Sequence, residues 1–200
     1  MWYMCVGILV KRGSMAFGLD HFLSDCEAAA GGDPSHKSVR EVVARAVRDP
    51  AAVLATLGTP QRAGINVLYN SPTLTVLNLV WGAGMMTTPH DHRMWAVIGI
   101  YTGREDNIFW RRLPEDADRD VEAAGARSLC VGDCCALGAD IIHSVINPVP
   151  RLTGAIHAYG GDFLAQERSE WDAETLREGP YDRAKARRLF EDSNRLLAVQ

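Results

Sequence analysis

The residues of this chain best suited to chemistry are the pair His90 and His92, separated by Asp91, and a third histidine, His143, 51 positions further on. In a strand, residues i and i+2 share a face, so an H-x-H pair aims two imidazoles at one point. Neutral imidazole is a common ligand of divalent transition metals, and a third one arriving from elsewhere in the chain completes a site. The frame around the histidines is as informative as the histidines themselves. Gly84 stands six positions before the pair and Gly103 follows it, while Gly132 precedes Ile141-Ile142-His143 and Asn147 lies four residues beyond. A second group lies in the run Ala155-Ile156-His157-Ala158-Tyr159, where alternation puts His157 and Tyr159 on one face. A hydrogen-bonded core histidine and a core aromatic are the plain reading of that pair. His21 and His36 fall in a helical region and read as ordinary surface histidines.

The two half-motifs and their spacing resemble those of the cupin family. The resemblance implies a mainly β fold, a double-stranded β-helix or jelly-roll barrel, here with N-terminal helices and a C-terminal helix. It also implies a divalent metal held inside the barrel by His90, His92 and His143. The usual cupin has a glutamate ligand separated from the second histidine by three or four residues; Ala96 and Val97 stand there, and neither can bind a metal. Three neutral imidazoles leave the full charge of a divalent ion to be balanced by an anionic substrate. That ligand set resembles the thiol dioxygenases, the branch that includes cysteine dioxygenase and 3-mercaptopropionate dioxygenase. This implies Fe(II), a small thiol-carboxylate bound through its sulfur, dioxygen as co-substrate and a sulfinic acid as product.

Within that branch, residues 155–159 are similar to a Ser-x-His-x-Tyr relay, in which the histidine positions a tyrosine hydroxyl near the substrate. Ala155 replaces the serine, so His157 requires another partner, such as water, to fix its tautomer. Eukaryotic cysteine dioxygenases hold the carboxylate with an arginine just after a tyrosine. The matching stretch, Tyr69-Asn70-Ser71, keeps the tyrosine as a candidate substrate contact but lacks the arginine, and Val97 stands at the place of the cysteine of their crosslink. Bacterial 3-mercaptopropionate dioxygenases instead use an arginine after the relay tyrosine, and Arg168 fits that role, with Arg93 the second candidate. Arginine suits the task because its planar fork meets a carboxylate with two parallel hydrogen bonds. A cupin oxygenase cleaving a diketone, an isomerase using Zn(II) or Mn(II), and a non-enzymatic small-molecule binder stay open as alternatives.

The rest of the chain must position these groups. Two hundred residues suit one domain with a sizeable core. A net charge of −4 without any basic cluster argues against a nucleic-acid partner. Five cysteines without a C-x-x-C pair read as reduced thiols of a cytoplasmic protein, with the adjacent Cys134 and Cys135 on opposite faces of a strand. The apolar run 1–10 is too short to span a bilayer, and its charges follow it rather than precede it. Residues 1–14 therefore read as a disordered or artefactual extension, with Met15 as the start, and 15–200 as one cupin domain: helical over 17–60, barrel over 61–163, helical tail over 164–200. Leu19, Phe22, Leu23 and Cys26 recur at helical spacing, Ser38 to Glu41 forms a capping box, and Asp49-Pro50 opens a short helix ending at Gly58. Apolar or β-branched runs predict strands over 65–69, 74–81, 94–101, 107–112, 134–137, 141–146 and 152–159, with an acidic loop at 114–118 and a closing helix over 182–197. The expected partners are a small thiol and dioxygen, with no nucleic acid or membrane, in a monomer or small homo-oligomer.

Overall fold

In the computed structural model, which describes residues 17–114 and 118–198, three helices precede the strands: α1 (Leu19–Gly32), α2 (His36–Val47) and α3 (Pro50–Leu57). The expected extension over 1–14, Cys5 and the middle of the acidic loop lie outside the described residues. α3 starts where the sequence predicts: Asp49 accepts from the Ala52 N–H at 3.1 Å, and Pro50 sits in the first turn, where an N–H has no partner to lose. α2 starts earlier than the capping box predicts. Its N-cap is Ser35, and Ser38 lies inside the helix, donating its hydroxyl to Asp33. The carboxylate of Asp33 also takes the Ser35 N–H and hydroxyl, and this cluster fixes the helix start ahead of Ser38.

Eleven strands follow. They are β1 (Gly64–Asn70), β2 (Thr75–Trp81), β3 (His90–Asp91), β4 (Ala96–Thr102), β5 (Arg104–Arg112), β6 (Val121–Cys130), β7 (Cys134–Leu137), β8 (Ile142–Ile146), β9 (Thr153–Tyr159), β10 (Ser169–Trp171) and β11 (Glu178–Pro180), with α4 (Arg183–Leu197) closing the chain. Two antiparallel sheets result, one ordered β1-β2-β9-β4-β7 and the other β11-β10-β3-β8-β5-β6. The mainly β architecture flanked by helices is the one expected. The segment from 164 onward differs from the expected helical tail, because β10 and β11 extend the second sheet before α4 begins. β6 was not anticipated either, since most of its residues are exposed and polar or small; its pairing along β5 defines it.

Strands β2 and β9 are buried at every position, and alternation explains it. Leu77, Leu79, Trp81, Ala155 and Tyr159 face the barrel interior and meet Leu129 and Val145 of the opposing sheet. Val76, Ile156 and Ala158 face the other way, against Val39, Val43 and Val47 of α2. A sheet covered on both faces reads as a nearly continuous apolar run, which is how these strands appear in the sequence. Gly99 on β4 lets α2 approach, since a Cβ there would stand 2.6 Å from Val43 Cγ1 and 2.9 Å from Val47 Cγ1. Gly103 takes a left-handed φ of 79° at the β4–β5 turn, a conformation that favours glycine. Cys135 joins the barrel cluster and Cys134 packs towards the helices, as the alternation predicts. Among the described residues, no helix is long and apolar enough to cross a membrane.

Candidate metal centre

The second sheet brings the three histidines together. His90 on β3 pairs directly opposite His143 on β8, and His92 follows just beyond the end of β3. One ring nitrogen from each lies within 4.8 Å of the others, and all three residues are buried. Burial disfavours the imidazolium and holds His90 down to about 4; a Thr88 carbonyl works against this, and the Arg168 charge adds to it. His92 and His143 lie well below their ordinary value, first from burial and then from the neighbouring histidines. All three therefore offer lone pairs at neutral pH. A buried set of neutral nitrogens at this spacing fits a divalent transition metal. Two of the rings are oriented from behind: His90 Nδ1 meets the Thr88 carbonyl at 3.0 Å, and His143 Nδ1 meets Asn107 Oδ1 at 2.7 Å.

A cavity of about 520 Å³ opens from the histidines through the barrel to α4. Leu77, Leu79, Trp81, Phe163 and Phe190 supply its apolar wall, and Tyr159, His157 and Arg168 supply polar groups. Arg168 is held in an unusual way. Its guanidinium lies 3.9 Å from the centre of the Phe163 ring and 4.2 Å from that of the Tyr181 ring. Phe163 in turn stacks on Tyr159 at 3.8 Å, and both rings meet His92 edge-on. Among the described residues no carboxylate pairs with Arg168, and its buried Nε has no hydrogen-bond partner. A guanidinium fixed by ring faces keeps its N–H donors for an incoming anion.

Behind the cavity runs a polar network centred on Glu105 of β5, which is completely buried. Its Oε2 accepts from Trp81 Nε1 at 2.7 Å, and its Oε1 accepts from Asn107 Nδ2 at 3.0 Å. Oε2 also lies 3.4 Å from His157 Nε2, an ion-pair distance rather than an aligned hydrogen bond. His157 Nδ1 meets the Tyr159 hydroxyl at 3.1 Å. Burial alone would raise the Glu105 carboxyl, but the contacts from His157, Asn107 and Trp81 outweigh it and leave the carboxyl below its ordinary value. Burial pushes the Tyr159 phenol far up, so it is a protonated hydroxyl at neutral pH.

No family model matches the chain. Among solved structures, it is similar to a cupin family protein with a double-stranded β-helix fold from Methanocaldococcus jannaschii, at 11% identity and a TM-score of 0.42 over 54% of this chain and 87% of that one. A cupin superfamily protein from Desulfitobacterium hafniense gives 14% identity and 0.41 over 55% and 88%. A protein with a double-stranded β-helix domain from Klebsiella pneumoniae gives 10% identity and 0.40 over 62% and 89%. At such scores nothing about metal, substrate or activity passes from those proteins to this one.

Of the residues expected at the site, His90, His92, His143, His157, Tyr159 and Arg168 line the one cavity. Tyr69 is not among them. It lies on β1, where its hydroxyl donates to Glu27 of α1 at 2.6 Å, so its expected role as a substrate contact has no support in its position. Arg93 takes a left-handed φ of 54° and turns outward, where it donates to Ser169 at 2.8 Å and pairs with Asp91 and Glu178. Asn147, part of the second half-motif, ties loops together: its amide donates to the carbonyls of Trp81, Gly82 and Arg151. Glu105 escaped the sequence reading because the strand was expected to begin at Asn107. Extending the inward parity of Asn107 and Phe109 back by one step would have placed a carboxylate inside the barrel, a flag for a functional network.

Proposed function

We propose that this chain is a three-histidine, iron-dependent dioxygenase that converts the sulfur of a small thiol-carboxylate to a sulfinic acid. The observation that carries this reading is Arg168, a largely buried guanidinium that has no carboxylate partner among the described residues and lies in the same cavity as the three histidines. An acid bound there would reach the metal site with its other end and supply the negative charge that three neutral ligands lack. Fe(II) held by His90, His92 and His143 would acidify a bound thiol and activate dioxygen. In the net reaction the S–H and O–O bonds break and two S–O bonds form; the four electrons lost by sulfur reduce both oxygen atoms, and the thiol proton leaves with the sulfinic acid or to solvent. Arg168 orients the carboxylate, and the stack of Phe163 and Tyr181 keeps its fork from swinging. The Tyr159 ring meets His92 edge-on, and its hydroxyl, held by His157 Nδ1, can exchange a proton with that histidine. Glu105 occupies the place in this relay that Ala155 leaves empty, standing on the far side of the His157 ring. Leu77, Leu79 and Phe163 exclude water from the reacting end.

Oxygen uptake by the Fe(II)-loaded protein tests the reading. Uptake should depend on 3-mercaptopropionate or a similar thiol acid. Arg168→Lys should raise KM for that acid about ten-fold or more while leaving a carboxylate-free thiol nearly unaffected, because lysine keeps the charge but loses the fork. Equal effects on both thiols would remove the clamp from the account. One observation favours a second reading. A cavity of about 520 Å³ exceeds what a three-carbon acid fills, which suits an acid with a longer apolar body, including a diketone-type substrate of carbon–carbon cleavage. Faster uptake with such compounds than with small thiol acids would favour it.

A further inference from the structure

The barrel buries the Glu105 carboxylate between His157 and Asn107, the partner of His143, and the senses of its hydrogen bonds to Trp81 and Asn107 are fixed. A carboxylate only accepts. Oε1 of Glu105 therefore compels the Asn107 amide to turn its NH2 group towards it, across 3.0 Å. Asn107 is then left with its carbonyl oxygen facing His143 Nδ1 at 2.7 Å, so that nitrogen must carry the ring hydrogen. The lone pair of His143 is thereby placed on Nε2, the nitrogen that faces His92 Nε2 at 3.2 Å and the other ligand atoms. On its other side the same carboxylate takes the Trp81 N–H at 2.7 Å, which stops it from rotating, and faces His157 Nε2 at 3.4 Å. That contact is not an aligned hydrogen bond, but the negative charge so close favours the ring hydrogen on Nε2, which leaves His157 Nδ1 as the acceptor for the Tyr159 hydroxyl at 3.1 Å. We infer that Glu105 is a positioning residue that sets the tautomer of His143 for metal binding and of His157 for the tyrosine, so that one carboxylate prepares both halves of the site.

His90 needs no such device, because a backbone carbonyl at Thr88 can only accept from its Nδ1. His143 depends on a side-chain amide, which has two possible orientations, and an acceptor-only group beyond it removes one of them. The inference deepens the proposed function but rests only on the three-histidine centre. Its tests read ring nitrogens and metal affinity, so it can fail while the thiol chemistry stands, and the reverse.

The test is nitrogen NMR of the imidazoles in the metal-free full chain at neutral pH, with signals assigned by single His→Gln variants, together with Co(II) titration. In the wild type, His143 should carry its hydrogen on Nδ1 and His157 on Nε2. In Glu105→Gln, the new NH2 group meets the NH2 of Asn107, the Asn107 amide turns over, and His143 gains a population with the hydrogen on Nε2. Co(II) affinity should fall roughly ten- to hundred-fold, the range for losing an outer partner of a ligand histidine. The double variant Glu105→Gln with Asn107→Asp restores the sense of every bond, because glutamine can donate to an aspartate that in turn accepts from His143. Both the His143 tautomer and the Co(II) affinity should recover. A wild-type His143 with its hydrogen on Nε2 would overturn the inference whether or not any variant folds. So would a double variant that binds Co(II) no better than Glu105→Gln, since that would make the loss a matter of packing alone.

Discussion

At the scale of single residues, the site separates charge from its usual partners. Among the described residues Arg168 has ring faces instead of a carboxylate, and the three histidines are buried at the barrel wall. The histidines carry a pH dependence whose sign follows from burial. His90 is held down to about 4 mainly because burial disfavours its charged form, and His92 and His143 shift in the same direction. Above their ordinary value of 6.5 the rings are neutral in both folded and unfolded chains and add no slope. Below it the unfolded chain takes up protons that the folded chain refuses, so metal-free protein should lose stability as pH falls from 6.5 towards 4. His90 alone accounts for roughly 3 kcal/mol of this at the acid end. Thermal unfolding of His90→Gln across that window should show a shallower fall than the wild type, and an identical slope would contradict the assignment. Tyr159→Phe belongs to the same scale. It keeps the ring that stacks on Phe163 at 3.8 Å but removes the hydroxyl at His157, so turnover should drop by about ten-fold or more with metal affinity unchanged.

At the scale of elements, helices and sheet fit together through the small side of β4. Gly99→Val would push a side chain into Val43 and Val47 of α2 and should destabilise the fold by about 1–3 kcal/mol, read by denaturant unfolding. Metal affinity should be unchanged, because His90 and His143 lie on the other sheet and His92 just beyond β3. How legible an element was in the sequence follows from where it sits. β2 and β9 are buried on both faces and announce themselves as apolar runs, whereas β6 shows water a run of small and charged residues and has no pattern of its own. β10 and β11 are three residues each, held by pairing with each other and with β3 rather than by any local preference. The site divides the same way. His90, His92 and His143 were legible because ligand chemistry restricts both residue type and spacing. Arg168 was singled out only by resemblance, from its place after Tyr159; the structure puts it in the cavity wall, and the rings that hold it come from a loop and from a distant stretch before α4. Glu105 was hidden because its meaning lies in parity, and parity depends on where β5 begins.

At the scale of the whole molecule, the barrel is a vessel with one end stopped. Phe190 of α4 stacks on Trp81 at 5.6 Å and lines the cavity, so the C-terminal helix closes what the sheets enclose. A metal that binds the folded chain alone stabilises it by mass action, about 2.7 kcal/mol at a free concentration 100 times Kd. Added Co(II) should therefore raise the Tm of the wild type and leave that of His143→Ala almost unmoved, since two imidazoles make a weak and open site. A metal-induced rise retained in His143→Ala would put the third ligand elsewhere. The central claim joins this centre to Arg168 in one oxygenation, and heavy-isotope dioxygen tests it most directly. Fe(II)-loaded protein turning over a thiol-carboxylate under labelled gas should yield a sulfinic acid carrying both labelled atoms, with no product from His143→Ala. A product with one labelled atom or none, or the same yield from His143→Ala, would contradict the account.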